Sequence, residues 1–322
     1  MSGFSPARFA LAITHPLLLH KKSGLGSFAH YPCLSDSAPF SNSPFARKNP
    51  AASYFLLAFA ISWTAALLIA APELFQFAPL AKFTGILMFP AMLLGPGIAG
   101  IFLTRKLDGR DGLKDLFARV RLVRFPLRCY TAWLVLPVLV LGVLFCLKTF
   151  VSPVYAPNRF RIGVTFGLLA GFLEEIGWTG FAYPKLRQRF AVLPAAAILG
   201  RFWGLWHAPV IDFLGAASPH GKTLPAFVAA MAAMRVLIAW FYGHTQSVAL
   251  AQFIHRSCTG SLAVFSPPAV TPTQEAAWYA LYAFVLWLLV RLLTRSFPNN
   301  RRPGSHQRGL AGRPLCLLEE SW

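Results

Sequence analysis

Apolar runs broken by charged or Pro/Gly-rich stretches dominate the chain. Eight of them approach the roughly 20 residues that cross the ~30 Å hydrocarbon core of a bilayer. They run from Tyr54 to Ala70, Phe83 to Thr104, Tyr130 to Phe150, Ile162 to Tyr183, Val192 to Ile211, Leu224 to Tyr242, Val248 to Phe265, and Ala277 to Leu293. The pattern predicts an all-α, polytopic integral membrane protein with about eight transmembrane helices over residues 50–297. Polar side chains interrupt the fourth, fifth and seventh runs.

Composition agrees with this pattern. Of 322 residues, 56% are hydrophobic and 13% charged, with a mean hydropathy of +0.54, whereas a soluble domain is about one-quarter charged. The 30 Lys and Arg outnumber 11 Asp and Glu, giving a net charge of +19. In a soluble chain that excess points to a nucleic-acid binder with a basic face. Sorting the charges by side changes the picture. With a cytoplasmic N-terminus, segments 1–49, 105–128, 184–191, 243–247 and the stretch from Arg291 hold 22 basic residues, outside loops hold five, and Arg201, Arg235 and Arg256 lie within spans. That is the positive-inside bias of a chain with both termini in the cytoplasm. The charge is therefore topological, nucleic acid is not an expected partner, and the expected location is a bacterial plasma (inner) membrane. Between the spans, the charge-rich 105–128 loop is the sizeable soluble element. The Ser/Pro-rich segment 1–49 and the segment 298–322 read as disordered basic tails. The first also has the composition of an organellar transit peptide, and its charge order does not fit a secretory signal. Five cysteines, at 33, 129, 146, 258 and 316, form no C-x-x-C pair and no even set, which supports neither a zinc ribbon nor a disulfide-stapled fold.

Ionisable groups inside a span cost about 2.5–3.5 kcal/mol for Asp, Lys or Arg at the helix centre, so each calls for a partner or a role. Glu174 and Glu175 are adjacent in the fourth span, within Gly171-Phe172-Leu173-Glu174-Glu175-Ile176-Gly177-Trp178-Thr179-Gly180. Neighbours on a helix point ~100° apart, so one carboxylate can face a cavity while the other braces it. That arrangement suits a general base that activates water, with its neighbour bound to a cation or donor. His207, in Trp203-Gly204-Leu205-Trp206-His207, and His255, in Ile254-His255-Arg256-Ser257-Cys258-Thr259, add two titratable groups on other spans. At 1.5 Å per residue, the Glu pair lies ~14 Å, His255 ~15 Å and His207 ~20 Å from the cytoplasmic ends of their spans, so all four can share one chamber. Thr259, one turn after His255, can hydrogen-bond a ring nitrogen or an oxyanion. Glu174, His207 and His255 are also a metal-ligand set suited to zinc, which leaves metal-dependent and metal-free glutamate catalysis both open. Arg201 reads as a carboxylate partner or a snorkelling residue, Arg256 as an offset to the Glu charges or a helix-packing residue, Arg235 as a structural ion-pair residue, and Trp178, Trp203, Trp206 and Trp240 as packing or interfacial residues.

Competing motifs fail. Gly221-Lys222-Thr223 has no correctly spaced glycine and no preceding strand for a phosphate loop. The chain has no H-E-x-x-H partner for Asp108, and no G-x-S-x-G lies within a span.

These residues resemble the CPBP intramembrane proteases, named for CAAX proteases and bacteriocin-processing enzymes and also called the Abi family. Glu174-Glu175-Ile176-Gly177-Trp178-Thr179 resembles the motif E-E-x-x-x-R, Trp203 to His207 resembles F-x-x-x-H, and His255 to Thr259 resembles H-x-x-x-N. The likeness covers about residues 160–265, within a CPBP-like core at about 160–295. It implies a membrane endopeptidase, a hydrolase of peptide or lipidated-protein substrates set in membrane lipid. Glu174 activates water, His207 and His255 position it or stabilise the oxyanion, and Glu175 and Thr259 assist. In eukaryotic and archaeal relatives the substrate is a prenylated protein cleaved just after the prenyl cysteine, and bacterial relatives are assigned to peptide processing or bacteriocin immunity. Two positions depart from the pattern: Thr179 replaces the first-motif Arg and Thr259 the usual Asn. The charge that would orient Glu175 then comes from elsewhere, with Arg201 and Arg256 as the candidates, or is absent. The alternative is a catalytically inactive relative that acts as a peptide-binding scaffold or immunity factor.

Overall fold

A computed structural model describes residues 44–77, 81–126, 128–214, 222–268 and 270–294. Among them there is no strand, and the chain is an all-α membrane protein. The helices are α1 (Pro44–Lys48), α2 (Pro50–Phe75), α3 (Lys82–Met92), α4 (Leu94–Arg121), α5 (Arg128–Phe150), α6 (Gly163–Gly177), α7 (Tyr183–Arg187), α8 (Val192–Trp206), α9 (Ala208–Leu214), α10 (Leu224–Thr245), α11 (Val248–Phe265) and α12 (Pro272–Thr294). Of the two expected tails, residues 298–322 and most of 1–49 lie outside the described residues, and Pro44–Lys48 forms α1.

Among the described residues, five helices are long and apolar enough to cross a membrane: Pro50–Phe75, Phe83–Arg121, Cys129–Phe150, Leu224–Thr245 and Pro272–Leu293. The other three expected spans differ from the simple pattern because each carries site residues. The fourth is α6, only 15 residues long, followed by a π-helical turn at Trp178–Ala182 and then α7. The fifth ends as α8 at Trp206, and His207 turns the chain into α9. The seventh is the 18-residue α11, interrupted by Gln252, His255 and Arg256. The second span also breaks, at Leu93 after Pro90, and then runs on as helix through the charged stretch expected to be a loop. Gly109, at φ 72°, kinks α4 where it meets that stretch. Beyond the kink the helix carries i,i+3 and i,i+4 ion pairs, Lys114–Asp111 at 2.8 Å and Arg119–Asp115 at 3.0 Å.

Local signals set the ends. Proline opens α2 and lies in the first turn of α10, Gln246 closes α10 in the left-handed region at φ 52°, and the Ser247 hydroxyl caps α11 by accepting from the Leu250 amide at 2.9 Å.

Small residues decide which helices meet. On α6, Gly163, Gly167 and Gly171 recur every fourth residue, and α11 packs antiparallel against that stripe. A Cβ at Gly167 would lie 2.5 Å from the Gly260 nitrogen, and one at Gly171 would lie 2.7 Å from the Gln252 carbonyl. On α8, Gly200 and Gly204 bring α10 equally close: a Cβ at Gly200 would lie 2.5 Å from the Ala232 Cα. These two seams place α6, α8, α10 and α11 around one interior.

Candidate active site

Glu174 and Glu175 stand at the C-terminal end of α6, and both are fully buried. One helical turn on, the π turn supplies their first partners: the Trp178 indole donates to Glu174 Oε2 at 3.1 Å, and the Thr179 hydroxyl donates to Glu175 Oε2. Such turns are frequent at functional sites. The seam with α8 brings Trp203, whose Nε1 also donates to Glu174 Oε2, at 2.9 Å. Two neutral donors thus hold one carboxylate oxygen. The other, Oε1, is buried and has no hydrogen-bond partner among the described residues.

Glu175 is held quite differently. Its Oε1 accepts from His255 Nδ1 at 2.7 Å, across the α6–α11 seam, and its Oε2 accepts from Arg235 Nη1 at 2.8 Å, from α10. Arg235 is 1% exposed. The arginines expected to serve Glu175 do not reach it: Arg201 is exposed, and Arg256 is half-buried over the rings of Phe172 and Phe253. Physically, the Gly200 seam admits α10 to the interior, while Arg201 sits on the opposite side of that close approach. The ion-pair reading of Arg235 holds, and its partner is Glu175.

The two histidines share one feature. His207 Nδ1 faces the Trp203 carbonyl at 2.8 Å and His255 Nδ1 faces a carboxylate, both acceptors only, so Nδ1 carries the proton in each. Each ring presents Nε2 as its remaining position, and in His255 that atom is buried without a hydrogen-bond partner among the described residues. Trp203 lies between the rings, with its centroid 5.6 Å from His207 and 4.8 Å from His255. His207 is further enclosed by Trp206 and Phe227. Thr259 is half-buried and makes no hydrogen bond to the glutamates or the histidines.

The sequence leaves open whether Glu174, His207 and His255 hold zinc. Among the described residues, no three of His, Cys, Asp and Glu are grouped to hold a metal ion. All four groups are buried, with Glu174, Glu175 and His255 at 0% and His207 at 6% exposure. A cavity of about 400 Å³ lies against Phe55, Lys185, Arg189 and Phe202, and one of about 240 Å³ against Asp108, Arg119 and Phe181. Neither touches Glu174, Glu175, His207 or His255.

Residues 156–260, which contain all of these groups, match the family described as type II CAAX prenyl endopeptidase, Rce1-like. The resemblance to the CPBP proteases is borne out. Over 44 residues the chain is also 46% identical to the CAAX prenyl protease 2 of Methanococcus maripaludis, a stretch that makes up 14% of this chain and 16% of that protein. The match thus covers about a sixth of the curated relative's length.

Sequence reasoning passed over Trp178 and Trp203 as packing residues, yet both are donors to Glu174. Their spacing carried the signal: Trp178 is four residues after Glu174, and Trp203 four before His207, each on the same helical face as its partner.

Proposed function

We propose that the chain is an intramembrane endopeptidase that hydrolyses a peptide bond in a lipidated, CAAX-like protein or hydrophobic peptide, with Glu174 as the general base. The observation that carries this reading is the asymmetry of Glu174: Oε2 is fixed by two indoles while the buried Oε1 stays free to accept a proton. Water placed by the Nε2 atoms of His207 and His255 attacks the scissile carbonyl carbon as its proton passes to Glu174 Oε1. The tetrahedral intermediate then breaks its C–N bond, and the same proton goes to the leaving amine, giving a carboxylic acid and an amine. Glu175, opposite His255 Nδ1, holds that ring in the tautomer whose Nε2 accepts from the attacking water. The Rce1-like match and the CAAX protease relative support the substrate class. The distribution of basic residues supports cytoplasmic termini.

The test is cleavage of a library of prenylated and unmodified C-terminal peptides by purified protein in nanodiscs. Wild type is expected to cleave the lipidated members, and Glu174→Gln to lose about 10²–10⁴-fold in kcat, the contribution of a positioned general base. Cleavage unaffected by Glu174→Gln would refute the assignment. Metal analysis of the same preparation, compared with activity after chelation, determines whether zinc joins these groups.

A further inference from the structure

Arg235 is a full cation in the middle of an apolar helix, and it touches both halves of the site. Its Nη1 donates to Glu175 Oε2 at 2.8 Å and to Thr179 Oγ1 at 3.3 Å. Its guanidinium carbon lies 4.3 Å over the Trp203 ring, whose indole holds Glu174. Through Glu175 it reaches His255, and through Trp203 it reaches Glu174.

We infer that Arg235 is the positioning cation of this site: from α10 it stands in for the arginine that the first motif would place at 179, fixing Glu175 and thereby the His255 ring. The inference rests on the catalytic reading above. Three observations carry it. Thr179 is small, and its hydroxyl bridges the two charges, donating to Glu175 and accepting from Arg235, so the space of a long side chain at 179 is given to one arriving from another helix. The α8–α10 seam permits that arrival, since a Cβ on Gly200 would lie 2.8 Å from the Arg235 Cβ. The bonds are divided one oxygen to each partner, so the arginine sets the plane of the carboxylate that holds His255 Nδ1. A planar guanidinium can donate along its edge while its face lies on an indole, and an ammonium cannot do both.

Reversal of sign between two backgrounds is the decisive test. Arg235→Met is expected to lower kcat about 100-fold with KM within about threefold, in line with the loss of a group that orients a reacting residue. Thr179→Arg alone is expected to lower kcat, since a second guanidinium enters a closed space that already holds one. In the Arg235→Met background the same Thr179→Arg change is expected to raise kcat about tenfold, a coupling that independent sites do not show. Additive effects without that reversal overturn the inference. Should Arg235→Met fail to fold, Arg235→Lys carries the test: a wild-type melting temperature with about tenfold lower kcat is expected, and full activity overturns the inference. A readout independent of turnover is the ¹⁵N chemical shift of His255 Nδ1 in histidine-labelled protein. It should move in Arg235→Met, or in Arg235→Lys where only that variant folds, and return in Arg235→Met/Thr179→Arg. An unmoved shift refutes the positioning role. A wild type that cleaves nothing while showing this shift pattern refutes Glu174 as base and leaves the positioning of His255 by Arg235 standing.

Discussion

The helices that look most like membrane spans and the helices that form the candidate site overlap only in α10. Only 29% of the apolar stretch of α5 and 33% of those of α2 and α12 are buried inside the molecule, against 61% for α10. On α5, Val138 and Phe145 are each 65% exposed, as lipid-facing side chains are. The interior set is α6, α8, α10 and α11. Apart from α10 its members are short or interrupted, and they meet along glycine stripes instead of large apolar faces. The outer helices match the solvent and require only bulk hydrophobicity. The inner helices need backbone proximity, because Glu175 must meet His255 at 2.7 Å and Arg235 at 2.8 Å across two separate seams. In a bilayer, where lipid tails are as apolar as leucine, such approach comes from small residues and interhelical polar bonds.

The strongest way to break that contrast, after Glu174→Gln, is a single methyl group in the seam. Gly167→Ala puts a Cβ 2.5 Å from the Gly260 nitrogen and 2.7 Å from the Arg256 carbonyl, both backbone atoms that no rotamer change can move. Overpacking of this kind costs about 1–3 kcal/mol. The displacement also separates α6 from α11 and stretches the Glu175–His255 bond. Thermal unfolding in nanodiscs should show a clearly lowered midpoint, and cleavage should fall by more than the folded fraction accounts for. An unchanged midpoint would mean that the stripe does not set the distance.

A smaller effect is expected from Trp203→Phe. The change keeps an aromatic ring beside both histidines but deletes the Nε1 donor 2.9 Å from Glu174 Oε2, leaving Trp178 as the remaining donor. Loss of a bond that orients a reacting group typically costs about 10–100-fold. The expected result is a drop of that size in kcat with little change in melting temperature. A reduced melting temperature with normal kcat would return Trp203 to a packing role.

The legibility of the sequence divides along the same line. Bulk hydrophobicity made the outer spans readable, and the anomaly of charge in an apolar run made Glu174, Glu175, His207 and His255 readable. Partner identity was not readable, because it depends on which faces meet. Arg201, six residues before His207, looked better placed than Arg235, yet it is exposed, while Arg235 is buried against Glu175. The clue lay in the spacing of Gly163, Gly167 and Gly171 and of Gly200 and Gly204, a small-residue period that hydropathy does not register. Likewise the 105–128 stretch read as a loop by charge alone. Its i,i+3 and i,i+4 pairs make it helical to Arg121, and a contact from Arg119 to the Tyr242 hydroxyl at 2.7 Å ties it to α10.

The smallest predicted effect is the sharpest control, because it repeats the glycine-to-alanine change on the other side of the comparison. Gly142 lies mid-way along α5, and a Cβ added there has nothing within 4 Å. With no neighbour to meet, Gly142→Ala changes only the backbone freedom of the helix, for which alanine is favoured over glycine by about 0.5–1 kcal/mol. The expected result is a melting temperature equal to wild type or slightly higher, with unaltered cleavage. The same atom added at Gly167 and at Gly142 should therefore move stability in opposite directions. A destabilised Gly142→Ala would mean that α5 is packed against a partner and does not face lipid, and the division into a tolerant outer set and an exacting inner one would have to be redrawn.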